Sequence, residues 1–557
     1  MINNSANPHN APENQIASVS TRVLGKKMFM HPLIGQIPDH AHYFLLPQTI
    51  VPIHPLQSPV NECDLITGKA IRLPWPPYVP SDPLLRLELV SSVPDVTNVQ
   101  PSNMTQLPSR CRRSTVISHY LEKFLQEEEN EWLRPTDPMP FSEWVSRFPL
   151  CKQRELSEAR ERVEGLGVQR GHARVDCFIK NETSVSGTDP RNISPRKPEF
   201  LATIGPYVSA LEKLSHDCPY LVKGCNIDER DEKLSWLLDY PCFIETDQSR
   251  LDMNMDQPII ADFEMQLWAY LYPPAEHPVF HEMIQLCLET TGMTPFGFIY
   301  HVMGTRISGD AHTSILNGLW CRFMQWLCNL TIPKREWRSS HEGDDAIMGV
   351  SRRYELQVAF NTLLMWCMGF GVKLERYTDL QLSTFCGRRH VPTSIGLVSM
   401  CDLRRTLAKF HTTQSGLTGR RAILAKAFSY WSTDSRTPVI GPLCYSILSV
   451  LRPDNNDVTH ILRSTRLGLY EKERIMLGMR RQLSFPTVLA DLRAAADIRD
   501  GIGISLQCAL ESAYLDWGRV GFIPANFPLI EVDELHVDDD RCTYMGPNYP
   551  LFRVPSM

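Results

Sequence analysis

At 557 residues the chain is too long for one simple core, so several lobes are implied. Hydrophobic residues make up 43% and charged residues 22%, as in soluble globular proteins, and a formal net charge of −6 excludes an all-over basic coat, leaving only a local patch or groove for nucleic acid. The 16 cysteines are scattered without any Cys-x-x-Cys, which argues against zinc and against a small secreted disulfide scaffold and fits a reducing compartment.

The chain opens on "MINNSANPHNAPENQIAS", which is polar and has no signal-peptide core. Residues 1–109 are rich in Pro, Asn and Ser, with "LPWPPYVPSDP" in the middle, and predict an extended arm with a disordered tip. From Ser114 the spacing turns helical, with Val116, Ile117, Tyr120, Leu121, Phe124 and Leu125 on one face. A second helix is predicted from Lys152 to about Glu164, stopped by Gly165 and Gly167. "ARVDCFIK" predicts a short strand leading into a basic loop, and Pro241–Asp247 predicts another strand. "ADFEMQLWAYLYPP" is a helix closed by Pro273 and Pro274. "FGFIYHVMGTRIS" alternates as a strand or hairpin, and "AHTSILNGLWCRFMQWLCNL" is a long helix. "SSHEGDDAIMGV" has strand-like residues on both sides of its acids, and "RRYELQVAFNTLLMWCMG" is amphipathic. The longest apolar run, Phe360 to Val372, has 13 residues and is too short to span a bilayer. The part after about residue 400 is mostly helical. Strand and helix mix without a βαβ rhythm, so the fold class is α+β.

Gly343-Asp344-Asp345 sets two acids beside an apolar run. Alone, this fits a hairpin tip with solvated acids, since glycine tolerates positive φ. The segment "ETDQSRLDMNMD" changes the weighing. Asp247 follows the apolar "CFI" at the carboxyl end of its predicted strand, and Asp252 comes soon after. If the adjoining strand carries Asp344, carboxylates from two elements converge, and they repel unless a divalent cation or a proton sits between them. Oxygen-only ligands suit magnesium, and two such ions about 4 Å apart can activate an attacking hydroxyl and stabilise a leaving phosphate oxygen. Asp252 fits an exposed acid at a strand end equally well.

In "GTRISGDAHTSILNG", Ser308-Gly309 makes a pliable loop before a helix, and Thr313 and Asn317 share one side of that helix. A hydroxyl and an amide presented together can read a sugar hydroxyl. The same residues also fit a capped helix N-terminus, with Ser308 or Asp310 as the cap. Lys180, Arg191, Arg196 and Lys197 lie in a loop rich in Pro, Gly, Ser and Thr that could line a channel for triphosphates. Glu182, Asp189 and Glu199 dilute it, and a solvated loop is the plainer alternative. From Leu403 to Lys426 the chain carries Arg404, Arg405, Lys409, Arg420, Arg421 and Lys426 and no acid, which suits salt-sensitive, sequence-blind phosphate contact or a solvated helix face. The acidic "EVDELHVDDD" at 531–540 is a solvated tail or an occupant of a basic groove.

These phrases together, in this order, resemble the RNA-dependent RNA polymerases of positive-strand RNA viruses, and most of all the tombusvirus-like, carmovirus-type branch. "DQSRLD" is similar to motif A of that family, "GTRISGDAHTSILNG" to motif B, and the Gly-Asp-Asp to motif C. "KNET" with "PRNISPRKPEF" is similar to motif F, and "GFGVKLERYTDLQLSTFCG" to motifs D and E, with the Phe385-Cys386 pair. The resemblance covers about residues 140 to 450 and implies a right-hand polymerase. Its fingers would lie at 110–240, with a basic loop at 174–200. Its palm, a small antiparallel sheet flanked by helices, would lie at 241–400, with an inserted fingers segment at about 273–303. A mostly helical thumb and C-terminal extension would follow at 401–557. It implies template-directed ribonucleotidyl transfer with two magnesium ions, manganese being a possible substitute, held by Asp247, Asp344 and Asp345. It implies recognition of the ribose 2′-hydroxyl by Asp252 and Asn317, helped by Ser308, Gly309 and Thr313. Lys180, Arg191 and Arg196 would contact the triphosphate. Lys373 would be the general acid for pyrophosphate, with Arg376 as the other candidate. Arg404, Arg405, Lys409, Arg420 and Arg421 would grip RNA. Reverse transcriptases usually carry a bulky aromatic where this chain has Asp252, which argues for ribonucleotides. The implied partners are the RNA template and nascent strand, ribonucleoside triphosphates, other viral replication proteins and, through a partner, host membranes in the cytoplasm. The alternative is a catalytically weak, polymerase-derived RNA-binding replication factor.

Overall fold

The structure is a computed structural model that describes residues 42–45, 110–179, 192–248, 251–293, 298–410, 415, 417, 419–464 and 467–520. Lys180, Arg191, most of the Pro-rich arm and the acidic 531–540 stretch lie outside the described residues.

Helices and short strands alternate irregularly along the chain. The arm contributes β1 (His42–Leu45), a strand that its proline-rich surroundings did not predict. Helix α1 (Arg110–Leu125) buries Ile117, Leu121, Phe124 and Leu125, the face its spacing predicts. α2 (Leu150–Leu166) stops at Gly167, whose φ of 73° suits glycine. Next come β2 (Val175–Asp176), β3 (Phe178–Ile179) and β4 (Asn192–Ile193). α3 (Pro198–Leu214) opens on a proline, which loses nothing where no intrahelical bond is due. β5 (Cys242–Gln248), α4 (His277–Cys287), β6 (Glu289–Met293), β7 (Phe298–Met303) and α5 (Thr313–Cys328) follow. The hairpin β8 (Trp337–Glu342) and β9 (Asp345–Val350) leads to α6 (Glu355–Leu363), β10 (Val372–Tyr377), β11 (Arg388–Thr393) and β12 (Gly396–Cys401). Among the described residues that follow, the elements are all helices: α7 (Leu403–Phe410), α8 (Gly419–Asp434), α9 (Ile440–Leu451), α10 (Asn455–Arg463), α11 (Leu469–Arg480), α12 (Ala490–Asp500) and α13 (Ile504–Val520).

Two four-stranded sheets form. One, in the order β1-β7-β6-β2, pairs β2 and β6 in parallel. The other, β10-β5-β9-β8, is antiparallel throughout and carries the acids. Alternate residues of β5 point to opposite faces. Ile244 packs with Met348, Val350 and Val358 beneath one face, while Phe243 packs with Ile347, Leu380 and Phe385 on the other. Helix α5 lies against the first of these faces. Its Gln325 amide donates to the Thr246 hydroxyl at 3.1 Å, and its Ile315, Leu316, Leu319, Trp320, Phe323 and Met324 are all buried. Each such side chain contributes on the order of 1.5–3 kcal/mol by leaving water.

The C-terminal helices have a core of their own, built around Leu403, Leu424, Phe428, Trp431, Leu443, Ile447 and Tyr514. Val391, Val398, Met400 and Cys401 of the β11–β12 hairpin belong to that core, whereas the sequence reading grouped residues up to 400 with the preceding sheet. Leu397 reaches back to the sheet, so the hairpin joins the two.

Candidate active site

The acids meet at one end of the antiparallel sheet. Asp345 opens β9 and is the register partner of Asp247 on β5 and of Glu342 on β8. Gly343 and Asp344 form the turn between β8 and β9, and Gly343 has a φ of 59°, where a side chain would be strained. The hairpin tip is thus real, but it does not stand alone in solvent, because β5 brings Asp247 alongside. Asp344 is open to the cleft yet walled by protein. Lost hydration, then the carboxylates of Asp345, Asp252 and Asp247, push its pKa up to about 6. Burial first, and then the same four carboxylates, raise the pKa of Cys321 on α5.

Lys373 on β10 faces Asp247 from the other side in register, and its Nζ lies 3.2 Å from a carboxylate oxygen of Asp247. Both side chains are well exposed, so the pair adds little stability. Asp247, Asp345 and Lys373 line a cavity of about 190 Å³ together with Glu245, Glu375 and Phe385-Cys386-Gly387. Cys386 and Gly387 both have positive φ and close a tight turn between Phe385 and Arg388. Glu245 is directly opposite Glu375 and accepts hydrogen bonds from the backbone and hydroxyl of Thr384. Burial, outweighing those bonds, and then Glu375 push its pKa up to about 7.

Asp252 sits at the start of the helical turn after β5 and is half-buried. One of its carboxylate oxygens accepts from the Ser308 hydroxyl, and the other accepts from the Asn317 amide at 2.9 Å. Thr313 donates its hydroxyl to the Ile307 carbonyl at 2.9 Å and so holds the loop against α5. Gly309, at φ 124°, lets the loop touch the chain after β4: a Cβ there would stand 3.0 Å from the Ser194 carbonyl carbon. The four-residue spacing of Thr313 and Asn317 does bring both to this corner.

Other predicted residues lie elsewhere. Arg196 does not face the cleft. Its side chain is 2% exposed; it pairs with both carboxylate oxygens of Asp310, at 2.7 and 3.2 Å, and donates to the Ala173 carbonyl and the Thr290 hydroxyl. A guanidinium engaged on every side is a structural tie, not a ready contact for triphosphate. The acid-free stretch from 403 to 426 is also less bare than its sequence suggests. Arg404 donates to the Asp500 carbonyl, and Arg420 and Arg421 share Asp457. Arg405 is exposed, and the side chain of Lys409 lies outside the described residues. Arg376 pairs with Glu355 and leaves Lys373 as the cation beside the acids.

Sequence reasoning missed Arg306 and Glu264, which are buried together behind Asn317. Nothing in a local window signals a pair separated by 42 residues.

The donor set of Asp247, Asp344 and Asp345 offers oxygens only, and burial together with the neighbouring carboxylates raises the proton affinity of Asp344; this chemistry fits a hard divalent cation. Among the described residues the one trio with ligand atoms mutually within 4.8 Å is instead Cys287, Asp310 and His312, where Asp310 is already bound by Arg196. Among the described residues, the aspartates are therefore a wider arrangement than that trio.

The profile of the family described as viral RNA dependent RNA polymerase matches residues 125–431. The chain is 27% identical over 282 residues to the RNA-directed RNA polymerase of Pariacoto virus, covering 48% of this chain and 28% of that protein. It is 25% identical over 306 residues to that of Oat chlorotic stunt virus (50% and 40%) and 26% over 287 residues to that of Tomato bushy stunt virus (48% and 34%). The matches span well under half the length of these relatives.

Proposed function

The chain belongs to the viral RNA-dependent RNA polymerase family, and on that premise we propose that it copies RNA by template-directed ribonucleotidyl transfer to a 3′-hydroxyl, releasing pyrophosphate. The observation that carries this reading is the meeting of Asp247 and Asp345 in register, with Asp344 in the adjoining turn, beside an Asp252 that receives both Ser308 and Asn317. In this reading the antiparallel sheet is a palm, the segments before it are fingers and the C-terminal helices are a thumb.

Asp247, Asp344 and Asp345 hold the divalent ions, magnesium or its substitute manganese. When bound, such ions lower the pKa of the attacking hydroxyl and steady the triphosphate. Lys373, beside Asp247, is placed to return a proton to the departing pyrophosphate. Asp252 keeps free lone pairs for a sugar hydroxyl while Ser308 and Asn317 hold its orientation. Lys180 and Arg191 remain the proposed triphosphate contacts. No helix of the described residues is long and apolar enough to cross a membrane; attachment to host membranes in the cytoplasm through a partner is part of the proposal.

Incorporation of ribonucleotides on an RNA template tests the reading. The wild type incorporates with magnesium, and Asp344→Asn loses about a thousandfold or more in rate without losing its fold. A wild type that binds RNA but incorporates nothing under any metal or primer condition would point to the non-catalytic replication factor instead.

A further inference from the structure

Arg306 touches both halves of the proposed sugar-reading pair. Its backbone N–H donates to the Asp252 carbonyl at 2.8 Å, and its Nε donates to the Asn317 amide oxygen at 3.1 Å. The remaining arm of the guanidinium meets both carboxylate oxygens of Glu264. The two side chains are 2% and 1% exposed, so solvent does not compete for them. Backbone strain marks the same place: Gly304 and Thr305 have φ of 80° and 72°, and the Thr305 N–H is held by the Met255 carbonyl at 2.8 Å. A non-glycine residue at that φ persists only where its surroundings impose it.

The hydrogen-bond polarity of this chain of groups runs one way. Glu264 accepts only, and Arg306 donates only. Arg306 therefore requires the oxygen of the Asn317 amide on its side, which turns the amide nitrogen toward Asp252, an acceptor when ionised. A flipped Asn317 would set N–H against guanidinium and oxygen against carboxylate. The second amide hydrogen and the open lone pairs of Asp252 then form a donor–acceptor pair with a set direction, the complement of a hydroxyl group.

We propose that Glu264 and Arg306 are positioning residues for sugar selection, fixing the amide direction of Asn317 and the place of Asp252 so that the site reads a ribose hydroxyl. The inference rests on the polymerase reading above. It adds residues that never touch the nucleotide and yet set the preference for ribonucleotide over deoxyribonucleotide. A site built to bond a hydroxyl rejects an analogue lacking it only while its own groups stay correctly aimed.

The test compares kcat/KM for a ribonucleoside triphosphate and its 2′-deoxy analogue on one RNA template, in wild type, Arg306→Lys and Glu264→Gln. Lysine keeps a positive charge toward Glu264 but cannot also reach Asn317. The expected result is a ribo-to-deoxy preference lowered about tenfold or more in Arg306→Lys, mainly by faster or tighter use of the deoxy substrate relative to the ribo substrate. Glu264→Gln, nearly isosteric, shifts the preference in the same direction and decides the matter if the lysine variant does not fold. A purely structural role lowers both rates together, so a preference within about twofold of wild type in a folded variant overturns the inference alone. A wild type that incorporates no ribonucleotide overturns the polymerase reading and this inference with it.

Discussion

Two cations that the sequence offers as site residues behave very differently. Lys373 is 74% exposed and pairs with Asp247 across neighbouring strands, so its removal should hardly change stability. If it serves as proton donor, Lys373→Leu will lower incorporation by about a hundredfold, within the range of general acid catalysis, while the melting temperature stays put. Unaltered incorporation would assign the proton to another group. Arg196, only 2% exposed and locked to Asp310, is the opposite case. Its local sequence, a Pro-Arg-Lys-Pro loop, invites a phosphate-binding reading. The partner that changes this lies 114 residues along the chain, and no spacing rule reaches that far. Asp247 and Asp345 were legible for the converse reason, since one lies at the carboxyl end of β5 and the other opens β9, strands whose apolar residues announce them.

The same contrast holds for whole elements. Strands β5 and β9 and helix α5 follow their hydrophobic period, and Gly343 marks the turn between β8 and β9. β1 escaped the sequence reading because it is stabilised by β7 rather than by its own surroundings, which are full of proline. Close helix approach is another property that only the packed molecule displays. Gly205, in the middle of α3, leaves room for the ring of Trp144: a Cβ there would stand 2.2 Å from the indole Cζ2. Trp144 is fully buried between Val145, Leu156, Ala159 and Ala202 and has nowhere to retreat. Gly205→Ala is therefore expected to destabilise by about 1–3 kcal/mol despite alanine's better helix propensity. Chemical denaturation measures this, and a neutral or stabilising effect would show that the contact can relax.

At the scale of the whole molecule, buried histidines are among the groups that lower stability in acid. Burial, followed by the nearby Arg388 and Arg230, pushes the pKa of His390 down to about 3, and His312 and His341 are likewise pushed well below the usual value by burial. In the unfolded chain each takes up a proton near pH 6.5. Between that pH and about 3 the unfolded state binds more protons than the folded one, so stability falls as pH drops through this window and is insensitive to these groups above it. Each histidine can contribute up to about 1.4 kcal/mol per pH unit. Urea unfolding from pH 7 to 4 should show a shallower decline for His390→Leu than for wild type, and identical declines would mean that His390 titrates normally in the folded protein.

The pairing of Arg420 and Arg421 with Asp457 has a consequence for ionic strength. A cation already neutralised within the protein displaces no counterion when RNA arrives. On the proposed reading, one carboxylate cancels one charge, so counting both arginines would overstate the steepness with which RNA affinity falls as salt is added by about 0.7 units of log–log slope, the share of one phosphate on a single strand. If the proposed RNA contact is right, replacing Asp457 by asparagine would release those guanidiniums to RNA and steepen the dependence, so an acid outside the proposed active site would tune how salt loosens the grip on RNA.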